Sequence, residues 1–294
     1  MKKFVLDLIV RRVTNLGRGY VLLQLTDPLA PLPPMVPGQF VQVRVDGSSS
    51  TFLRRPISIH RVDREANELW LLVHAVGDGT RWMAARAEGD VLNVVLPLGN
   101  GFTLPGAAKA DTTDTTAADS AYAGTASADA ATEPGCCLLV GGGVGTAPLL
   151  YLGEELVRAG ARPLFLLGGR TAEDLLQLDL FRRLGDVFVT TEDGSAGEHG
   201  FVTQHSLWQQ GALSQTKSGD GTVSFSRIYT CGPKPMMVAV ARLARERGVP
   251  CEASLENLMA CGLGACLCCV EDTIDGHVCV CKEGPVFSTD KLKW

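Results

Sequence analysis

The sequence predicts a multidomain β + α/β protein: a small antiparallel β-barrel, then a doubly wound parallel α/β domain, then a short cysteine-rich module. Three observations predict it. Residues 1–105 hold six short runs rich in Val, Ile and Leu, separated by Gly, Pro, Asp or Ser. From Cys136 onward strands alternate with helices. Six of the ten cysteines then crowd into residues 256–287. The domain boundaries drawn from these shifts are 1–105, 136–254 and 255–294, with an insertion at 106–135.

The barrel rests on runs at 2–13, 20–25, 40–45, 56–61, 69–76 and 91–96, several of which alternate apolar and polar residues as half-buried strands do. Six short strands with such turns suit a small antiparallel barrel. A helix over 80–87 interrupts them, entered through Gly77-Asp78-Gly79. Two features here suit a phosphate-bearing cofactor. Arg54-Arg55-Pro56-Ile57-Ser58 sets guanidinium forks and a hydroxyl at a strand entrance, a match for a pyrophosphate. Gly79-Thr80 opens the helix, whose free amides and positive dipole end attract an anion. Taken singly, an Arg pair is more often a solvated face and Gly-Thr an ordinary helix start.

Composition bounds the function classes. At 294 residues and 46% hydrophobic content the chain has material for about two cored domains. No run nears the roughly 18 apolar residues of a membrane span, so a soluble, cytoplasmic protein is expected. Ten cysteines without a secretory leader imply a reducing compartment, where thiols serve metals or chemistry. The insertion is dominated by Ala, Thr, Asp and Ser, too polar to offset the entropy of ordering, and is read as disordered. Residues 211–226 share that character. The net charge is −5, yet residues 110–135 hold five acids and no Lys or Arg, and taking those five from the chain's 32 leaves 27, equal to the Lys and Arg count. No nucleic-acid footprint follows from such a balance.

In the α/β region the strand 136–140 runs into Gly141-Gly142-Gly143-Val144-Gly145-Thr146 and then a helix over Ala147–Arg158. Strands at 163–167, 187–190, 227–231 and 249–254 alternate with helices at 174–184, 203–210 and 235–247, the order of a parallel doubly wound sheet. Ligands of such sheets sit at the strand C-termini. Gly141, Gly142, Gly143, Gly145 and Thr146 form a strand–turn–helix suited to a dinucleotide pyrophosphate, because bare backbone closes in and the helix N-terminus faces the anion. Its bland counterpart is a tight packing turn. NAD versus NADP stays open: Gly168-Gly169-Arg170 replaces the acid that would end the next strand, and an arginine there suits a 2′-phosphate. Glu192 and Asp193 end the third strand and suit a ribose. Cys231, Gly232 and Pro233 end the fourth. Cys231 has two readings, a contact of the nicotinamide ring or a small buried hydrophobe. Met236 and Met237 read as core.

Cys261, Cys266 and Cys269 carry the C-x4-C-x2-C spacing of a plant-type [2Fe–2S] site, with Cys281 returning as the fourth thiolate. Gly262 and Gly264 permit positive φ and close backbone approach, so loop amides can reach cluster sulfurs. Zinc, the second reading, prefers two C-x2-C knuckles, and Cys279 with Cys281 is not one. Disulfides come third, for a chain of this length needs no staples. Cys268 and Cys279 fall outside the pattern as neighbours of ligands, pointing elsewhere.

RRPIS and GT in the barrel, GGGVGTAPL, YTCGPKPMM, and SLENLMACGLGAC ending at CKEGPVF together resemble the ferredoxin reductase-like iron–sulfur flavoproteins, and within them the electron-transfer subunits of dihydroorotate dehydrogenase B. The resemblance covers nearly the whole chain in order. It implies FAD on the barrel, NAD on the α/β domain and a [2Fe–2S] cluster at the C-terminus. FAD contacts implied by position are Arg55, Pro56, Ile57, Ser58, Leu72, Val73, His74, Gly79 and Thr80; implied cluster ligands are Cys261, Cys266, Cys269 and Cys281. His74 stands where arginine is frequent, and Cys268 where a small residue is. The insertion at 106–135 and the segment 211–226 are longer than is usual there, as decorations on loops.

The resemblance further implies a heterotetramer with an FMN-containing dihydroorotate dehydrogenase catalytic subunit, in pyrimidine biosynthesis. Electrons from that subunit pass through the cluster and FAD to NAD⁺. The alternatives are an NAD(P)H-oxidising subunit of a sulfhydrogenase or ferredoxin–NADP transhydrogenase, a stand-alone reductase, and a redox or zinc-dependent interaction module.

Overall fold

The computed structural model describes residues 2–105, 135–209 and 225–294. The expectations for 106–134 and 211–224 lie outside the described residues. No described helix is long and apolar enough to cross a membrane.

The barrel is built from β1 (Phe4–Gly17), β2 (Tyr20–Thr26), β3 (Phe40–Val43), β4 (Arg55–Asp63), β5 (Glu68–His74) and β6 (Val91–Leu98), with helix α1 (Asp78–Ala84) between the last two strands. It closes in the order β1-β2-β5-β4-β3-β6, every pairing antiparallel. Alternation sends Leu8, Leu23, Val41, Val43, Ile59, Leu71 and Val94 inward to one core. Their strand neighbours Phe40, Gln42, Pro56, Ser58 and His60 therefore face outward, toward the rest of the chain. α1 starts two residues before the expected helix. The Thr80 hydroxyl accepts from the Val76 and Gly77 amides and so caps the turn itself.

The second layer begins with β7 (Cys136–Gly142) and α2 (Ala147–Arg158), followed by β8 (Arg162–Gly169), α3 (Leu178–Arg182), β9 (Asp186–Thr191), β10 (Glu198–His199), β11 (Phe225–Cys231), α4 (Lys234–Glu246) and β12 (Cys251–Ser254). The cysteine-rich segment adds β13 (Val270–Thr273), β14 (Gly276–Cys279), α5 (Val280–Glu283) and β15 (Val286–Ser288). The sheet order is β10-β9-β8-β7-β11-β12-β15, parallel except for β15, which runs antiparallel to β12. Thus the C-terminal segment borrows an edge of the α/β sheet, and β13 with β14 forms a hairpin of its own.

Two expected helices differ. In place of a helix over 174–184, a 3₁₀ turn at Ala172–Asp174 ends at Asp174, Gln177 follows at φ +53, and then the short α3. Leu175 and Leu176 are drawn to different apolar clusters and the Gln177 amide to His60, so packing overrides the helical pattern. Of the helix expected over 203–210, the described residues, through 209, form two 3₁₀ turns instead, fixed by Trp208 Nε1 donating to the Val202 carbonyl (2.7 Å).

α2 lies against β4. His60 is buried there, its Nδ1 on the Ala147 carbonyl (2.8 Å) and its Nε2 on the Gln177 amide (2.9 Å). Arg61 pairs with Glu154 at 2.7 Å, and the Tyr151 hydroxyl donates to the Met35 carbonyl. Burial pulls the His60 imidazole down to about 4, with its two hydrogen bonds opposing only part of that. The folded value lies below the ordinary 6.5, so the unfolded chain takes up a proton first. Stability fully present above pH 6.5 is lost as pH falls toward 4, by up to about 3 kcal/mol at 1.36 kcal/mol per unit. Thermal melts of the purified protein from pH 7.5 to 4.5 should therefore lose slope in His60→Gln; an unchanged slope would assign the loss to other groups.

Candidate cofactor sites

On the barrel, the structure brings Arg55 and Gly79 together. A Cβ on Gly79 would lie 2.7 Å from Arg55 Nε and 2.9 Å from its Cγ, so only glycine lets the arginine rest on the α1 turn. Arg54 is committed elsewhere, donating to the backbone oxygens of Gln42 and Asn93 and to the Asn93 side chain. Of the two guanidinium groups, Arg55 is the one beside the α1 turn. Pro56 and Ser58 are half-buried on the outer face, whereas Ile57 packs against the barrel core. Val73 likewise points inward, which leaves only its backbone for a ligand. Leu72 faces the seam, packed with Val144 and Ala147 of the glycine-rich turn. His74 stacks on Tyr20 with centroids 4.0 Å apart and planes at 15°. Thr80, occupied with its own cap, offers no free hydroxyl lone pair to spare for a first contact beyond those bonds. The outer face of β4 is thus half-buried at Pro56 and Ser58 and bounded by an arginine, a fit for a planar, phosphate-bearing group such as FAD.

The dinucleotide candidates surround a cavity of about 480 Å³ at the C-terminal ends of β7, β8, β9 and β11. Gly142, Gly143, Glu192 and Pro233 line it. Gly143 has φ +57 and open space where a Cβ would be, so its backbone is bare to a ligand. Gly145 serves packing: a Cβ there would meet Gly232 Cα at 2.4 Å and Gly232 N at 2.6 Å. Gly141 packs on Leu149 and Thr146, and the Thr146 hydroxyl donates to the Gly143 carbonyl at 3.0 Å. Asp193 turns away, accepting from the Ser195 amide and hydroxyl. Arg170 lines the cavity but lies 3.5 Å from Asp174, so the 2′-phosphate role read from the sequence meets a carboxylate already in place.

Asp174 is the residue that sequence reasoning missed here. It is 5% exposed, lines this cavity and a neighbouring one of about 360 Å³, and neither of its oxygens accepts a hydrogen bond. Arg18 (3.7 Å) and Arg170 (3.5 Å) balance its charge without satisfying it. A buried carboxylate lacking donors fits a ligand with hydroxyls, such as a ribose diol. The signal was present in its place one short turn after Arg170, hidden by the helix expected there. Tyr20 from the barrel and Met236 from α4 also line the cavity, and neither was expected.

Cys231 is fully buried, does not line the cavity, and burial drives its thiol well above the ordinary range. It is a thiol, not a thiolate. Beside it the Glu256 Oε1 accepts from the thiol at 3.8 Å. Desolvation raises the Glu256 carboxyl, and the Cys231 thiol offsets part of the rise.

In the C-terminal segment, Cys261 and Cys266 form one thiol pair and Cys269 and Cys281 another. Backbone amides point at the sulfurs: Leu263 N to Cys261 (3.3 Å), Gly264 N to Cys281 (3.1 Å), and Cys281 N to Cys269 (3.3 Å). Positive φ at Gly262 (+70) and Gly264 (+81) turns those amides inward. Burial pushes the Cys261 thiol up, but the amides of Leu263, Cys266 and Ala265 with the Cys266 thiol more than reverse it, to about 6. Cys281 goes up to about 12 through burial and its neighbour Cys269. Two pairs of thiols, each with amide donors, fit a two-iron cluster. Cys268 is exposed; the Cys279 thiol donates to the Gly264 carbonyl at 3.8 Å. Cys266 is exposed, and so are Leu258 (85%), Leu263 and Leu267 of the same segment.

Comparison with known proteins adds to this geometry. Residues 256–293 match the iron–sulfur cluster binding domain of dihydroorotate dehydrogenase B, and residues 139–242 match an oxidoreductase NAD-binding domain. The electron transfer subunit of dihydroorotate dehydrogenase B (NAD(+)) from Shouchella clausii is 38% identical over 260 residues, covering 87% of this chain and 86% of the relative. Its counterpart from Fusobacterium nucleatum is 34% identical over 253 residues, 85% and 84% of the two chains. A solved NADH-dependent reduced ferredoxin-NADP oxidoreductase superposes with a TM-score of 0.74 at 27% identity, covering 98% of this chain and 90% of that one.

Proposed function

This chain belongs to the family of dihydroorotate dehydrogenase B electron-transfer subunits, and from that premise we propose that it carries electrons from a dihydroorotate-oxidising partner to NAD⁺ in pyrimidine biosynthesis. The partner is an FMN-containing catalytic subunit, joined in a heterotetramer. When bound, the [2Fe–2S] cluster supplies one-electron transfer, FAD links one-electron to hydride chemistry, and NAD⁺ accepts the hydride.

The residues of this chain hold, orient and shield. Cys261, Cys266, Cys269 and Cys281 hold the cluster, with the loop amides stabilising negative charge on sulfur. Arg55, Pro56, Ile57, Ser58, Leu72, Val73, His74, Gly79 and Thr80 form the FAD site, Arg55 answering the pyrophosphate. Gly141, Gly142, Gly143, Gly145 and Thr146 shape the dinucleotide turn, Glu192 and Asp174 receive ribose hydroxyls, and the carboxylates disfavour a 2′-phosphate. Cys231, Gly232 and Pro233 support the turn from below, with Glu256 accepting from the Cys231 thiol behind them. The carrying observation is the outer barrel face: Phe40 packs with Cys269 and Cys281 at one end, and His60 meets the glycine-rich turn's Ala147 at the other. Pro56 and Ser58 lie between, so a flavin held there adjoins both neighbours. The exposed leucines of the cysteine segment supply apolar surface for the partner.

Co-purification with a dihydroorotate-oxidising subunit tests the reading. The pair should show flavin absorbance, a reduced-cluster EPR signal and dihydroorotate-driven NADH formation. A complex that holds both cofactors but cannot pass electrons from dihydroorotate to NAD⁺ would transfer the chain to another donor.

A further inference from the structure

Gln42 sits in β3 with 0% exposure, and neither its Nε2 nor its Oε1 has a hydrogen-bond partner. The other buried glutamines of the barrel are satisfied: Gln24 donates to Glu68, and Gln39 bonds the Gly99 carbonyl and the Val36 amide. An orphaned carboxamide is destabilising, a cost that a missing partner would remove. Its position says where that partner lies. Gln42 projects from the outer barrel face, opposite Pro56 in the β3–β4 ladder. It packs under the cysteine loop, where a Cβ on Gly262 would be 3.0 Å from Gln42 Nε2 and 2.8 Å from its Cγ. Gly262 adjoins Cys261, and the neighbouring Phe40 packs with Cys269 and Cys281.

We propose that the Gln42 carboxamide donates a hydrogen bond to the sulfur cage at Cys261, making it a positioning residue that sets the cluster's reduction potential and its contact with the flavin face. The inference rests on the reading of that cage as a [2Fe–2S] site. Nε2 carries two N–H donors, and hydrogen bonds to cluster sulfur favour the reduced, more negative state. A glycine at 262 is what lets the amide come so near.

The test is an EPR-monitored redox titration of the full chain in complex with its partner, flavin and cluster bound. Gln42→Leu keeps the volume and removes the donor. The cluster should become harder to reduce by about tenfold in its one-electron equilibrium, which is about 59 mV, with altered g-values and an unmoved flavin couple. Gln42→Met gives the same comparison should the leucine variant fail to assemble. An unchanged cluster potential, or a shift confined to the flavin, overturns the proposal. Wild-type protein without any cluster signal would instead overturn the functional reading beneath it.

Discussion

Replacing Cys281 by serine is expected to cost the chain most of its cluster iron, whereas Cys279→Ser leaves it loaded. Both sulfurs touch Gly264, but in opposite senses. Cys281 is buried, packs with Cys269, and accepts the Gly264 N–H at 3.1 Å, so a loop amide is aimed at its sulfur. Cys279 donates to the Gly264 carbonyl at 3.8 Å, as a neutral thiol does. Loss of a ligand should exceed the roughly 10–100-fold penalties of changes one shell out. Iron and sulfide content, with the reduced-state EPR signal, measure it. Equal losses in the two variants would mean that the assignment of the fourth ligand is wrong.

Gly145→Ala should weaken dinucleotide binding at least about tenfold, or 1.4 kcal/mol, with flavin and cluster spectra intact. The new methyl would fall 2.4 Å from Gly232 Cα and 2.7 Å from the Cys231 carbonyl carbon, both backbone, so the two turns must part. Gly143→Ala is the informative control. It meets nothing within 4 Å, and its penalty is the left-handed strain of about 1–2 kcal/mol at φ +57. Titration with NADH separates the two, and wild-type affinity in Gly145→Ala would remove this turn from the site.

Local patterns made much of the architecture legible. Val-, Ile- and Leu-rich runs between turn residues, several of them alternating, revealed the six barrel strands, and Leu149, Leu150, Leu152 and Leu156 marked α2 to its ends. The cysteine spacing selected the four thiols that the structure gathers into two pairs. Tertiary effects were less legible. Asp174 and Gln177 lay in an apolar pattern that reads as helix, yet the first turns its carboxylate toward a cavity and the second bonds a histidine 117 positions away. Gln42 looks like any polar residue on a strand, and only its place beneath Gly262 gives it meaning. Arg54 and Arg55 are adjacent and alike in sequence, but one serves the barrel's backbone and the other the α1 turn.

The antiparallel β15 has a dynamic corollary. Because Glu252, Ala253 and Ser254 pair with Ser288, Phe287 and Val286, the cysteine loop is stapled at both ends, leaving the sheet through β12 and returning to it through β15. Asn100 fastens the same segment to the barrel through the Gly284 carbonyl. A module so held is no swinging arm. Spacing between its sulfurs and the barrel face is a property of strand register, settled once when the chain folds rather than at each turnover.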